Sequence, residues 1–245
     1  MRVKDSIVDI DYVETKEFFA KRATKYKEES PYSVTMYQDN NAELVRERNE
    51  YEIQKLKPML KLDSYSRVLD VACGIGRWAD AISEEIEEYC GLDFSEELIA
   101  IASKRNSKEK FYFHQCEAMK VERLLQEKKM GKYNIILLMG ILMYINDRDL
   151  HTVFEQLINI CEKNARICIR EPLGLDKRLT LKDFYSEELQ ESYNAIYRTR
   201  DELLRIFEQT FFQFGFRIES EGYLFEEQKL NNRRDTSQYY FILKR

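Results

Sequence analysis

Eight glycines are spread over 245 residues, and two of them, Gly74 and Gly76, stand directly behind the apolar run VLDVAC, residues 68–73. That run carries one acid, Asp70, four residues ahead of Gly74, and a second acid, Asp93, closes the next apolar stretch, EYCGLD. Glycines at this spacing let backbone approach a ligand where a Cβ would collide. The segment GIGRWA, residues 74–79, formally fits the G-x-G-x-x-G/A pattern of dinucleotide-binding turns. Asp70 discriminates between ligands, because its charge opposes a pyrophosphate and favours a group carrying an ammonium. Asp93, 23 residues after Asp70, stands where a carboxylate can take both hydroxyls of a ribose. A cationic nucleoside is the ligand these residues point to; a tight turn with a helix-capping Asp is the simpler alternative. Trp78 reads as a core aromatic of the helix that follows.

Such a loop needs a strand before it and a helix after it, and the patterning supplies both. RVLDVA, EEYCGLD, KFYFHQ, YNIILLM and ARICIRE are short β-rich runs, alternating with helical stretches at 77–87, 95–105, 118–128 and 147–163. That alternation implies a parallel sheet covered on both faces, and YNIILLM is apolar throughout, as a doubly buried strand should be. FRIESEGYLFEE and SQYYFILKR read as a closing antiparallel hairpin, after a helix that stops at Gly215. The expected fold is α/β: a Rossmann-like, seven-stranded mixed sheet of five parallel β/α units plus that hairpin. Residues 1–60 are expected to form an N-terminal helical lid on a domain of residues 61–245. The Tyr- and charge-rich segment of about 172–199 is too long for an ordinary connection and is expected to form an inserted helical cap.

VLDVACGIGRW, followed by YCGLDFSEELIAIA, resembles the class I S-adenosylmethionine-dependent methyltransferases. The match covers roughly residues 60–171 as motifs and the remainder as topology. The resemblance implies that Asp70, Ala72, Gly74 and Gly76 surround the methionine part of S-adenosylmethionine. Asp93 would bind the ribose, with Phe94 flanking the adenine. Glu117 would take the adenine amine, with Cys116 and Ala118 as backbone partners. Met139, Gly140 and Tyr144 would lie beside the sulfonium, and Tyr37 would reach the cofactor from the lid. Arg77 and Trp78 are bulkier than many members of the family carry after the second glycine.

Methyl transfer is an in-line displacement that demands positioning more than acid–base chemistry, but a hydroxyl acceptor must also lose a proton. Glu171, at the end of the fifth strand, is the first candidate base, with a cap of the adjoining turn as its plainer role. Asp39, in MYQDNN, is the second. His114 falls inside a strand and His151 on a solvated helix face. Gln38, Tyr193, Tyr197 and Arg198 offer aromatic faces and hydrogen-bond donors for a sugar ring or polar metabolite, although such tyrosines also serve simply to pack a cap on a sheet. Both lid segments are similar to those of methyltransferases of sugar and surface-polysaccharide biosynthesis.

The reading is therefore O-methylation of a sugar or glycan. N-methylation of an amino sugar or another metabolite, a tRNA or protein acceptor, and a non-catalytic cofactor-binding subunit stay open; a dinucleotide oxidoreductase is disfavoured by Asp70. A net charge of −5 argues against nucleic acid as a partner, and no apolar run reaches the roughly 20 residues that span a bilayer. Five scattered cysteines without a CxxC pair, and acids where a secretory signal would be apolar, give the expectation of a cytoplasmic protein with reduced thiols. Two histidines make a histidine-built metal site improbable. A monomer or homodimer acting on a small molecule or glycan is expected.

Overall fold

The computed structural model describes residues 1–36, 40–226, 228–231 and 233–245. Its elements begin with β1 (Arg2–Lys4), α1 (Tyr12–Thr24), α2 (Ser33–Met36) and α3 (Ala42–Leu60). Then come β2 (Arg67–Val71), α4 (Arg77–Ala81), β3 (Glu88–Asp93), α5 (Glu96–Arg105) and β4 (Phe111–Gln115). They continue with α6 (Val121–Glu127), β5 (Tyr133–Met139), α7 (Asp147–Ile160) and β6 (Cys161–Gly174). The chain closes with β7 (Leu179–Ser186), β8 (Glu191–Tyr197), α8 (Arg200–Gln209), β9 (Arg217–Tyr223) and β10 (Thr236–Lys244).

Seven strands form one sheet in the order β4-β3-β2-β5-β6-β10-β9. The strands β2 to β6 run parallel, and β10 enters antiparallel between β6 and β9. Side chains alternate across each strand, so β2 sends Leu69 and Val71 to one face and Val68 to the other. The first face is filled by Leu157 of α7, Phe207 of α8 and the ring of Phe211; the second by Leu56 and Leu60 of α3 and Trp78 of α4. Parallel strands buried on both sides need this double cover.

Three helices are shorter than the sequence suggests. α4 ends at Ala81 because lysines take its last carbonyls: Lys108 donates to Ala79 and Ile82, and Lys57 to Ala81. α7 ends at Ile160, and Cys161 instead pairs with Tyr133 at the start of β6. α8 ends at Gln209 rather than at Gly215, and the glycine instead closes, at φ +86°, the separate 3₁₀ turn Phe211–Phe214 that follows.

The expected helical cap is not helical. Residues 179–197 form the antiparallel pair β7 and β8, which β1 extends into a separate three-stranded sheet. The reason is legible in hindsight: LTLKDFY and SYNAIY are rich in β-branched and aromatic residues, and Leu179, Leu181, Ala195 and Tyr197 bury against Ile10 and Phe18. The N-terminal segment is likewise helical only in part, since β1 belongs to that second sheet.

Candidate active site

The strand order reverses between β2 and β5, and open α/β sheets bind ligands at the carboxyl ends of strands beside such a reversal. A cavity of about 220 Å³ lies there. The strand ends supply Ala72, Gly74, Asp93, Phe94, Cys116, Glu117, Ala118, Met139 and Gly140, and Tyr144 closes one side. α1 and α2 form the roof with Tyr12, Lys16, Phe19 and Thr35. Phe19 packs edge-on against both Phe94 and Tyr144, with ring centres 5.5 and 5.1 Å apart.

The loop after β2 bends through left-handed backbone at Ala72 (φ +63°) and Gly74 (φ +57°). At Gly74 the glycine is needed twice over, since a Cβ there would stand 2.8 Å from Thr35 Cγ2 in the roof. Gly76 caps α4 and does not line the cavity; a Cβ on it would meet Asn106 at 2.8 Å, so its part is to let the start of α4 sit close to the end of α5.

Asp93 is buried, with one oxygen accepting the Gly74 N–H (2.9 Å) and the other the Ser95 N–H (2.9 Å). A carboxylate offers about four lone-pair sites, which leaves capacity for two ribose hydroxyls. Burial pushes its pKa up to about 6, against the lowering pull of those N–H groups. Asp70 lies behind the loop rather than in the cavity wall: Tyr89 donates its hydroxyl to Oδ2 (2.6 Å), and Oδ1 is buried without a partner among the described residues. Burial carries its pKa up to about 7 despite the Tyr89 hydroxyl and the charge of Arg77. From behind the loop, Asp70 acts on a positively charged ligand through its field and not by contact. Glu117 sits at the far end, paired with Lys16 (2.5 Å) and Lys120 (2.7 Å), which hold its pKa down. The residues present therefore fit S-adenosylmethionine: Asp93 for the ribose, Phe94 and Ala118 at the adenine, Glu117 at the amine, Met139, Gly140 and Tyr144 toward the sulfonium.

A second cavity, about 170 Å³, adjoins the first and shares Thr35, Met139 and Gly140 with it. Tyr193 and Tyr197 line it, and so do Arg48, Glu52, Arg170, Arg233 and Gln238, none of which the sequence reading singled out. Glu52 is buried on α3 between Arg77 (2.5 Å) and Arg170 (3.1 Å). Burial acts to raise its pKa, but the two guanidinium charges outweigh that and hold it low.

Two expected residues are elsewhere. Glu171 is buried and lines neither cavity; its oxygens accept the N–H groups of Leu142 (2.8 Å) and Met143 (3.2 Å). Alternation on β6 explains it: Arg170 and Pro172 face the second cavity, so Glu171 between them faces the opposite side. Its carboxylate clamps the 3₁₀ turn at Leu142–Tyr144, and the sequence-based assignment as proton acceptor is corrected to that structural role. Arg198 is buried too, bound to Asp147 (2.5 Å) and to the carbonyls of Leu142 (2.7 Å) and Ile145 (2.6 Å), and is a brace rather than an acceptor contact. His114 and His151 line neither cavity. Tyr37, Gln38 and Asp39 lie outside the described residues.

Comparison with known proteins agrees with this geometry. The family model described as a methyltransferase domain matches residues 43–221. No curated protein matches the chain in sequence. Among solved structures, an S-adenosylmethionine-dependent methyltransferase of Leishmania major is similar over 93% of this chain and 83% of that one (TM-score 0.62, 14% identity). Phosphoethanolamine N-methyltransferase 1 of Haemonchus contortus is similar over 96% of this chain and 50% of its own (TM-score 0.67, 15% identity). The N-methyltransferase NodS of Bradyrhizobium japonicum is similar over 94% and 98% (TM-score 0.59, 11% identity). At such identities the structures attest the fold, while the family match covers most of the chain. The protein belongs to the methyltransferase-domain family and is an S-adenosylmethionine-dependent methyltransferase.

Proposed function

We propose that the chain methylates a small polar acceptor, a hydroxyl of a sugar or glycan unit, seated in the second cavity. The observation that carries this reading is the junction of the two cavities at Met139 and Gly140. One side holds the motif residues for the nucleoside, and the other is walled by Tyr193, Asn231, Ser237 and Gln238. Those side chains offer hydrogen bonds and an aromatic face, as a polyhydroxylated ring requires. The volume suits a small molecule rather than a folded nucleic acid. Among the described residues no helix is long and apolar enough to cross a membrane.

When bound, S-adenosylmethionine supplies a methyl group already activated on its sulfonium. The protein's part is to hold the acceptor in line with it and, for a hydroxyl, to accept a proton. Glu52 is the carboxylate placed deepest in the second cavity, and its two arginines make it a weak base. That observation favours a second reading, an amine acceptor, because a neutral amine attacks without a strong base. Incubation with isotope-labelled cofactor and paired neutral and amino sugars, followed by NMR of the product, separates the two. An O-methyl product supports the first reading and an N-methyl product replaces it with the second. No transfer to either class, with cofactor binding intact, overturns both.

A further inference from the structure

The second cavity holds more positive charge than a neutral sugar needs. Arg48, Arg170 and Arg233 all line it, against the carboxylates of Glu52 and Glu188. Among the described residues three cations thus line the cavity against two carboxylates, and one of those two, Glu52, is already shared with Arg77 outside the cavity wall. A guanidinium has five N–H donors, and these are only partly engaged. Arg48, 5% exposed, donates through Nε to the Leu230 carbonyl (2.8 Å). Arg170 Nε lies 3.1 Å from Glu52 without a hydrogen-bonding angle to it, and Nη1 reaches Gln238 only at 3.4 Å. Arg170 also abuts Gly140, since a Cβ at Gly140 would stand 2.8 Å from Nη1, which places this cation at the junction of the cavities. Arg233 donates to the hydroxyls of Tyr193 and Tyr197, with its guanidinium 5.5 Å from each ring centre. Burial lowers the pKa of both Arg48 and Arg233, the direction expected where cations are withdrawn from water without full compensation.

We propose that the acceptor carries, apart from the group that is methylated, an oxyanion of the carboxylate or phosphate type, bound by Arg48, Arg170 and Arg233. Planar forked donors match such anions in pairs of parallel hydrogen bonds, and the burial of Arg48 strengthens those it makes. The proposal rests on the second cavity being the acceptor site. It narrows the acceptor from any sugar to an acidic or phosphorylated one.

The test is calorimetric titration of the protein saturated with S-adenosylhomocysteine, using inorganic phosphate in one arm and acetate in the other, at constant ionic strength held with chloride. Saturable millimolar binding of one anion is expected, weakened at least tenfold in Arg233→Ala and in Arg48→Gln, with S-adenosylhomocysteine affinity in both variants within threefold of the parent. Arg123→Ala, on the exposed face of α6, serves as the control and should change neither. The stronger of the two anions names the source, phosphate or carboxylate. If neither anion saturates while S-adenosylhomocysteine binds normally, or if binding persists undiminished in both variants, the oxyanion site is overturned and the methyltransferase reading stands. Failure to bind S-adenosylhomocysteine at all would instead remove the reading beneath it.

Discussion

Asp93 lines the candidate cofactor cavity and Asp70 is buried behind its loop, and their raised pKa values would give ligand binding a pH signature. Both carboxyls must be ionised to favour an ammonium or accept hydroxyls, yet burial holds them at about 6 and about 7 in the free protein. Affinity for S-adenosylhomocysteine should therefore fall as pH drops from 8 to 5, by up to about tenfold per pH unit for each group that must lose a proton. Asp93→Asn should bind weakly with a flatter profile; an affinity independent of pH in the parent contradicts the assignment. The same raised values mean that between about pH 4 and 7 the folded chain holds protons which the unfolded chain has released. Their contribution to stability thus declines as pH rises through that window, and Asp93→Asn should remove part of the decline in urea titrations. Glu171 belongs to this scale as well. With its oxygens on two backbone N–H groups, Glu171→Ala leaves buried donors unsatisfied at about 1–3 kcal/mol each, lowering the melting temperature by several degrees. Loss of turnover at unchanged melting temperature would restore it as a base. At this scale the sequence was informative where glycine and acid spacing define a loop, as at Asp70, Gly74 and Asp93. It misled at Glu171 because a strand end shows which residues are near an edge and not which face each one takes.

Among the elements, the roof over the cofactor and the second sheet decide how the site opens. The ion pair of Lys16 with Glu117 is half exposed and contributes at most about 1 kcal/mol, so α1 is held mainly by Phe19 on Phe94 and Tyr144. A bound nucleoside adds contacts beneath it, and hydrogen exchange across residues 12–36 should slow when S-adenosylhomocysteine is added. Slowing confined to residues 70–80 would make α1 and α2 a fixed cover. Arg198 ties β8 to the start of α7 through Asp147, which Arg178 also holds (2.8 Å). Removing one partner of a buried pair is severe: Arg198→Met should destabilise by about 3–5 kcal/mol, visible as a lower urea midpoint, and a neutral result would contradict its role as a brace. The β/α alternation was readable because short runs dominated by apolar residues, YNIILLM most plainly, alternate with helical spacing. β7 was not, because Lys182 and Asp183 stand side by side among its apolar residues and break the two-residue period, with a register shift against β8 between Leu181 and Phe184.

For the molecule as a whole, function follows from two cavities of different character meeting at one edge of one sheet. The strand-end wall of the candidate cofactor cavity comes from residues 71–145, close enough in sequence for motifs to reveal it, while its roof comes from α1 and α2. The proposed acceptor side draws Arg48 and Glu52 from α3, Arg170 from β6 and Arg233 from the approach to β10, positions far apart in the chain that only the fold brings together. No spacing rule could have assembled them, which is why the acceptor wall was largely missing from the sequence reading. The central claim is that the glycine loop and Asp93 hold a cationic nucleoside rather than a dinucleotide. Calorimetric titration of S-adenosylhomocysteine and of NADH into the parent protein and Asp93→Ala tests it directly. The account predicts single-site micromolar binding of S-adenosylhomocysteine, weakened by about 2–4 kcal/mol in the variant through the loss of two charge-assisted hydrogen bonds, and no saturable binding of NADH. Preferential binding of NADH, or S-adenosylhomocysteine binding indifferent to Asp93, would contradict it.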